Sequence, residues 1–384
     1  MNEGKPHICL VAHYAYGALI GGSNGHIGGV ERQTSLLAKW LAAKGYPVSM
    51  VTYDEGQTDG MEIDGVRVYK LCRKDAGVKG VRFVYPRWAS LNAALNRANA
   101  QLYYQNCAGV ETGQVGLWCK RHGRPFVYSV ASNPDCDRHL PELKTLPHRV
   151  LYRYGLRSAD QIIVQTKTQQ DMLQKDFGRN SEVLPMPGPD FSSDGDVDRE
   201  LGADHSRRVL WIGRICKVKR PDRLLDIAEA CAEIAFDVVG PMDDSEYVRG
   251  VCERAKTLPN VTLHGKISRD KVAKYYENAH LLCCTSDFEG FPNTFLEAWS
   301  LGLPVVSTVD PDGVIAANGL GWVAEGVKEI IIHLKDISQS PENWTKASRA
   351  ARQYYLAHHT PEKCLAAFER LLLRVATNNN KNPV

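Results

Sequence analysis

The sequence predicts an α/β protein made of two doubly wound parallel-sheet domains. Three observations predict it. At 384 residues the chain fits two domains, each large enough to bury a sound core. Short apolar runs alternate with amphipathic stretches, the pattern of repeated βα units. The alternation breaks once, at residues 185–204, which hold three Pro, three Gly, two Ser and five Asp with little to bury, and then restarts. That break reads as an interdomain linker.

In the first half, strands are expected at residues 7–12, 47–53, 101–104, 126–130 and 161–165. Helical periodicity falls at 30–44, 86–98, 114–122 and 147–157. Asp64-Gly65, flanked by alternating apolar residues, marks a tight hairpin over 62–69. After the linker, strands at 208–212, 236–239, 261–264, 280–284 and 305–308 alternate with helices at 221–232, 245–257, 269–278 and 294–301. Residues 326–377 read as nearly all helix, and the Asn/Lys/Pro tail from 376 as frayed.

Composition removes several function classes. The chain is 43% hydrophobic and 24% charged, an ordinary globular balance, and its net charge of +3 is too mild for a dedicated nucleic-acid binder. No apolar run approaches the ~20 residues of a membrane span. Lys5 and the run broken by His7 and His13 make a poor signal peptide and a good first strand. Eleven cysteines without C-x-x-C spacing indicate no zinc ribbon and a reducing compartment, so the cytoplasm is expected.

Doubly wound domains bind ligands at the carboxyl ends of their strands, and three loops there carry chemistry. Residues 13–29 place five of six glycines between Gly21 and Gly29, just before a helix, where N–H groups and a positive dipole suit a phosphate. The G-x-G-x-x-G spacing of a dinucleotide fold is absent, and a merely mobile glycine loop stays open as a reading. In Trp211-Ile-Gly-Arg-Ile-Cys-Lys-Val-Lys-Arg220, Arg214, Lys217, Lys219 and Arg220 crowd one loop with few nearby acids, which suits a diphosphate or, blandly, a solvated basic turn. The third loop runs from Ser286 to Ala298. There Glu289 and Glu297 bracket a helix start shaped by Gly290 and Pro292, with N–H groups for an anion or sugar hydroxyls.

The stretch EGFPNTFLEAWSLGLPVV, with Glu–seven residues–Glu, resembles the family-4 retaining glycosyltransferases of GT-B fold. GRICKVKRPDRLL is similar to their Gly-Arg…Lys diphosphate loop, GGVERQTSLLAKWLAAKGYPVSMVT to their first loop and helix, and NVTLHGKISRDKVAKYYENAHLLCCTSDFEG to their nucleotide-binding stretch. The match covers nearly the whole chain and is strongest over 208–308.

The resemblance implies two Rossmann-like domains facing a central cleft. Residues 1–190 would form the acceptor-binding domain, joined by a final helix at about 358–384, and 191–357 the nucleotide-sugar domain. Arg214 and Lys219 would neutralise the departing diphosphate, and Glu289 would hold donor-sugar hydroxyls. Glu297 would bind the ribose; Phe291, Pro292, Asn293 and Thr294 the sugar and phosphates through their backbone; and residues from His264 to Ile267 the base. Gly28 and Gly29 would approach the diphosphate from the other domain. No metal or cofactor is implied beyond the donor, a UDP-sugar ahead of a GDP-sugar, because buried cations stabilise the leaving group. The reaction implied is transfer of a hexose or N-acetylhexosamine, with retention, to a glycan or lipid-linked acceptor.

Departures from the family pattern are visible. Arg220 stands where many relatives have Gly, and is read as a phosphate contact or a solvent-facing side chain. No His follows the strand at 126–130, so Ser132, Asn133 or Asp135 is expected to line the acceptor side. Asp310-Pro-Asp-Gly313 replaces a Gly-Gly…Glu pattern. Three Asp-x-Asp tripeptides, at 135–137, 194–196 and 310–312, are read as chance, and no metal site is expected. Residues 67–124 carry eleven Lys/Arg against Asp75 and Glu111, with Phe83, Tyr85 and Trp88 among them. They read either as a solvated face or as a dock for an anionic membrane surface, on the inner face of the plasma membrane. A non-catalytic sugar-nucleotide-binding or scaffolding protein of the same fold is the alternative function. A nicotinamide dehydrogenase is disfavoured by the missing glycine fingerprint.

Overall fold

The computed structural model describes residues 4–21, 28–78, 81–192 and 208–379. The chain divides into two compact units, the first running to Leu184 and resuming at Cys364, the second spanning Pro185–Lys363. The division falls six residues before the expected 190/191 boundary, for a physical reason. Residues 186–188 are buried in the second unit. Gly188 N–H donates to His359 O at 2.9 Å, and Tyr355 Oη donates to Gly188 O at 3.1 Å. The expected linker is therefore a packed strap at its start. Its residues 193–204 lie outside the described residues.

The first unit holds β1 (Ile8–Val11), β2 (Val48–Thr52), β3 (Met61–Ile63), β4 (Val66–Lys70), β5 (Leu102–Asn106), β6 (Phe126–Ser129), β7 (Gln161–Val164) and β8 (Glu182–Val183). Their order is β3-β4-β2-β1-β5-β6-β7-β8, parallel throughout except for the β3–β4 hairpin. That hairpin turns on Asp64 and Gly65, both at positive φ (48° and 76°), as a two-residue turn matched to strand twist requires. The helices are α1 (Tyr16–Leu19), α2 (Gly29–Ala43), α3 (Ala89–Ala98), α4 (Val110–Arg121), α5 (Leu146–Ser158) and α6 (Lys167–Phe177). Two glycines let α4 and α5 touch backbone to backbone: a Cβ on Gly113 would overlap Leu151 O, and one on Gly155 would overlap Thr112 O.

The second unit repeats the plan with β9 (Arg208–Ile212), β10 (Ala235–Val239), β11 (Val261–Gly265), β12 (Leu281–Cys284), β13 (Val305–Ser307) and β14 (Gly321–Val323). The order β11-β10-β9-β12-β13-β14 is wholly parallel. Its helices are α7 (Pro221–Ala230), α8 (Glu246–Lys256), α9 (Arg269–Asn278), α10 (Asn293–Ser300), α11 (Val314–Asn318), α12 (Val327–Gln339) and α13 (Pro341–His358). The last helix, α14 (Pro361–Asn379), belongs to the first unit from Cys364 onward. Its Glu369 accepts from Tyr46 Oη at 2.8 Å and Trp40 Nε1 at 3.4 Å, and Arg374 pairs with Glu182.

In each sheet the strand order reverses direction at one place, between β1 and β5 and between β9 and β12. Loops leaving adjacent strands on opposite sides open a crevice there. The three chemistry-bearing loops follow β1, β9 and β12.

Candidate active site

In the second unit the loops after β9 and β12 are stitched together by one hydroxyl. Thr285 Oγ1 donates to Lys219 O and Arg220 O, both at 2.9 Å, and accepts from Trp211 Nε1 at 2.9 Å. Asp287 N–H donates to Val218 O at 2.9 Å. Gly240, at φ 156°, admits the first loop: a Cβ there would overlap Gly213 O.

This stitching brings Lys219 and Glu289 into direct contact through an ammonium–carboxylate hydrogen bond, although they are 70 residues apart. Ser286 Oγ donates to the same Glu289 oxygen at 2.7 Å. Burial works against the Lys219 ammonium, but the Glu289 carboxylate outweighs it and holds the pKa above the ordinary lysine value. Lys219 is thus a fixed cation.

The expectation of few acids near this loop is corrected. Arg220, left-handed at φ 49°, is clamped by Asp222 at 2.7 Å and by Asp287 at 3.4 Å. Arg220 is thus held in a partly exposed ion-pair cluster. Those acids come from α7 and from the loop after β12, and sequence separation conceals the second. Arg214 is exposed and lies within electrostatic range of Asp243, whose pKa is lowered first by Ser245 and then by Arg214.

Glu297 lies on α10 and is buried, with the Tyr276 hydroxyl donating to Oε2 at 2.5 Å. The α10 N-cap is Pro292, which offers no side chain to the first-turn N–H groups, those of Asn293 and Thr294 among them. Phe291 packs on His359, ring centroids 5.0 Å apart, which fixes the loop from behind. Ile267 is half-buried just after β11. His264, expected near a base, pairs with Asp237 at 2.6 Å.

In the first unit, Gly28 caps α2, and its N–H donates to Glu31 Oε2 at 2.8 Å. The N-terminus that Gly28 and Gly29 offer to a phosphate thus already holds a carboxylate. Residues 22–27 of that loop lie outside the described residues. Asp135 is also a correction. It is buried and turned inward, accepting from Ala131 N at 3.1 Å, Ser132 N at 3.2 Å and Ser132 Oγ at 3.1 Å, so it braces its own turn and lines no open surface. Burial raises its pKa to about 6 against those donors. Asn133 accepts from Gln169 Nε2 at 3.2 Å.

Sequence reasoning missed His13 and Glu111, at the switch point between β1 and β5. His13 Nδ1 lies 3.3 Å from Glu111 Oε1, with the Tyr53 ring 5.0 Å away. Burial alone would raise the Glu111 pKa, but His13 brings it below the usual value. Nothing in their 98-residue separation signals the pair.

Two Asp-x-Asp tripeptides have local tasks. Asp310 caps Ile315 N at 2.8 Å and Ala316 N at 3.2 Å, and Asp137 accepts from His139 N at 2.7 Å. The third, at 194–196, lies outside the described residues. Among the described residues no three His, Cys, Asp or Glu side chains converge as a metal cage.

Residues 206–340 match the family described as glycosyl transferases group 1, and residues 28–189 the glycosyl transferase 4-like domain. An uncharacterised glycosyltransferase of Haemophilus influenzae is 22% identical over 85% of this chain and 92% of its own length. A D-inositol 3-phosphate glycosyltransferase of Mycolicibacterium gilvum is 27% identical over 61% of this chain, and the match spans about half (54%) of that protein. Sucrose-phosphate synthase from Thermosynechococcus elongatus superposes with a TM-score of 0.77 over 97% of this chain and 100% of that one, at 17% identity. HepE of Anabaena, solved with UDP and glucose, gives 0.73 over 96% and 99%, at 16% identity. With both of its units matched in order, the chain belongs to the group 1, 4-like glycosyltransferases and has their GT-B fold.

Proposed function

We propose that the protein transfers a hexose or N-acetylhexosamine, with retention and without a metal, from a nucleotide diphosphate sugar to a glycan or lipid-linked acceptor in polysaccharide assembly. The single observation that carries this reading is the Lys219–Glu289 pair, on the loops that lead into α7 and α10. A cation, a carboxylate and a helix N-terminus without a side-chain cap suit the phosphates and hydroxyls of one ligand. The donor's phosphates take Lys219 and Arg214, and Glu289, released from Lys219, accepts sugar hydroxyls. Glu297 accepts the ribose hydroxyls, and the backbone from Phe291 to Thr294 together with Ile267 completes the donor site. As the sugar–phosphate bond breaks, the two cations and the helix dipole stabilise the charge left on the diphosphate. A UDP-sugar is favoured over a GDP-sugar, and the UDP and UDP-glucose bound in HepE support that choice. We place the protein in the cytoplasm, a reading supported by eleven free cysteines. A membrane surface is its second proposed partner, and nucleic acid is not one.

Purified protein given a panel of UDP-, GDP- and ADP-sugars should be stabilised by one donor and hydrolyse it slowly. The Arg214→Ala, Lys219→Ala double variant should lose at least about 10²-fold in turnover, the scale of one lost charge-stabilising donor. Undiminished turnover would overturn the assignment. Donor binding without hydrolysis or transfer would favour the scaffolding alternative.

A further inference from the structure

Of twelve exposed large apolar side chains among the described residues, six fall in two short segments of the first unit. Val78, Val81, Val84 and Tyr85 lie before α3, and Leu146 and Val150 lie on α5. Tyr85 is 71% exposed and Leu146 70%, values that no packed position shows. Leu146 and Val150 are four residues apart, hence on one helix face. The segments meet where Phe83 approaches His148, ring centroids 6.4 Å apart.

Charge gathers on the same segments. Among the described residues, 73–88 hold four Lys/Arg against Asp75 and 138–157 five against Glu142, a net of seven positive charges in a chain whose total is three. Elsewhere in the basic stretch 67–124 three cations pair with acids: Arg67 with Glu62, Lys70 with Asp54 and Arg97 with Asp59. Around the apolar patch Arg138 reaches His139 Nε2 at 3.3 Å and Lys74 lies over the Tyr14 ring, while three arginines bind carbonyls. Arg87 donates to Lys74 O, Arg149 to Leu143 O and Arg153 to Arg138 O, each at 2.7 Å, and no described carboxylate pairs with them. These bonds hold the guanidinium groups in place without neutralising their charge.

We propose that this patch, with Val84, Tyr85, Leu146 and Val150 at its centre and arginines around it, docks the first unit on an anionic membrane surface. Apolar tips enter the headgroup boundary while the rim meets lipid phosphates, a combination that one uncharged protein face does not reward. The proposal rests on the transferase reading for its lipid-linked acceptor and on the patch alone for its geometry.

The test is co-flotation of the full chain with vesicles of phosphatidylcholine, alone or mixed equally with phosphatidylglycerol, at low and high salt. Donor hydrolysis is measured on the same samples. The protein should float with the mixed vesicles only and be released by salt. Val84→Asp with Tyr85→Asp, and separately Leu146→Asp with Val150→Asp, should each weaken binding at least tenfold while leaving hydrolysis of soluble donor unchanged. Because these side chains are exposed, unchanged hydrolysis also certifies folding. Absence of flotation, equal binding to neutral vesicles, or binding indifferent to both double variants would overturn the proposal. So would a concentration-dependent dimer, abolished by those variants, that never binds lipid. Hydrolysis without flotation removes the membrane dock and leaves the transferase standing; flotation without hydrolysis does the reverse.

Discussion

Lys219 and Glu289 compete with the donor for each other, and that competition is measurable. In Glu289→Gln the ammonium loses its carboxylate, so UDP alone should bind as well as before or up to about tenfold tighter by calorimetry, while transfer falls at least about 10²-fold. Looser UDP binding would show that Glu289 merely braces the loop. Two buried groups set opposite pH limits. The Asp135 pKa is raised from 3.8 to about 6, so the stability gained from its proton is complete below 3.8 and lost as pH rises through about 6. The His359 pKa is lowered by burial from 6.5 to about 4, so its contribution is complete above 6.5 and lost as pH falls through about 4. Each amounts to roughly 3 kcal/mol at full titration. Chemical denaturation across pH should flatten on the neutral side in Asp135→Asn and on the acid side in His359→Asn; an unchanged profile in either variant refutes that assignment. Spacing singled out Arg214, Lys219, Glu289 and Glu297 as candidates because each lies on the loop or helix that follows a strand. It concealed what they touch, since Lys219–Glu289 and His13–Glu111 exist only once distant strands lie side by side.

Elements whose apolar period is long were legible; those fixed by a few residues were not. The α2, α7 and α8 helices bury one face and form near their expected bounds. The α6 helix was overlooked because few of its residues are apolar, although its punctuation stands in the sequence. Thr166 caps Gln169 N, and Gly178 ends the helix at φ 62°. Strands β8 and β14 span two and three residues, too few for any period to register. The α4–α5 crossing was equally hidden, because a glycine's absent side chain leaves no pattern. Gly113→Ala or Gly155→Ala should cost at least about 3 kcal/mol in a urea titration, since backbone meets backbone there and cannot repack. A loss under about 1 kcal/mol would mean the helices slide apart freely.

At the scale of the molecule, the first unit is discontinuous and the second is one uninterrupted segment. The α14 helix buries Leu365, Phe368, Leu371 and Leu372. Ending the chain at Lys363 should therefore strip the first unit of a hydrophobic face, lower its melting temperature by more than about 10 °C and leave the second unit's transition in place. Coincident loss of both transitions in calorimetry would contradict that division. The same threading orders events during synthesis. Residues 185–363 are all available before the helix that completes the amino-terminal half has been translated, so the half made second can reach its native state first. The half made first must wait on the ribosome with Trp40 and Tyr46 lacking the glutamate that both of them bind.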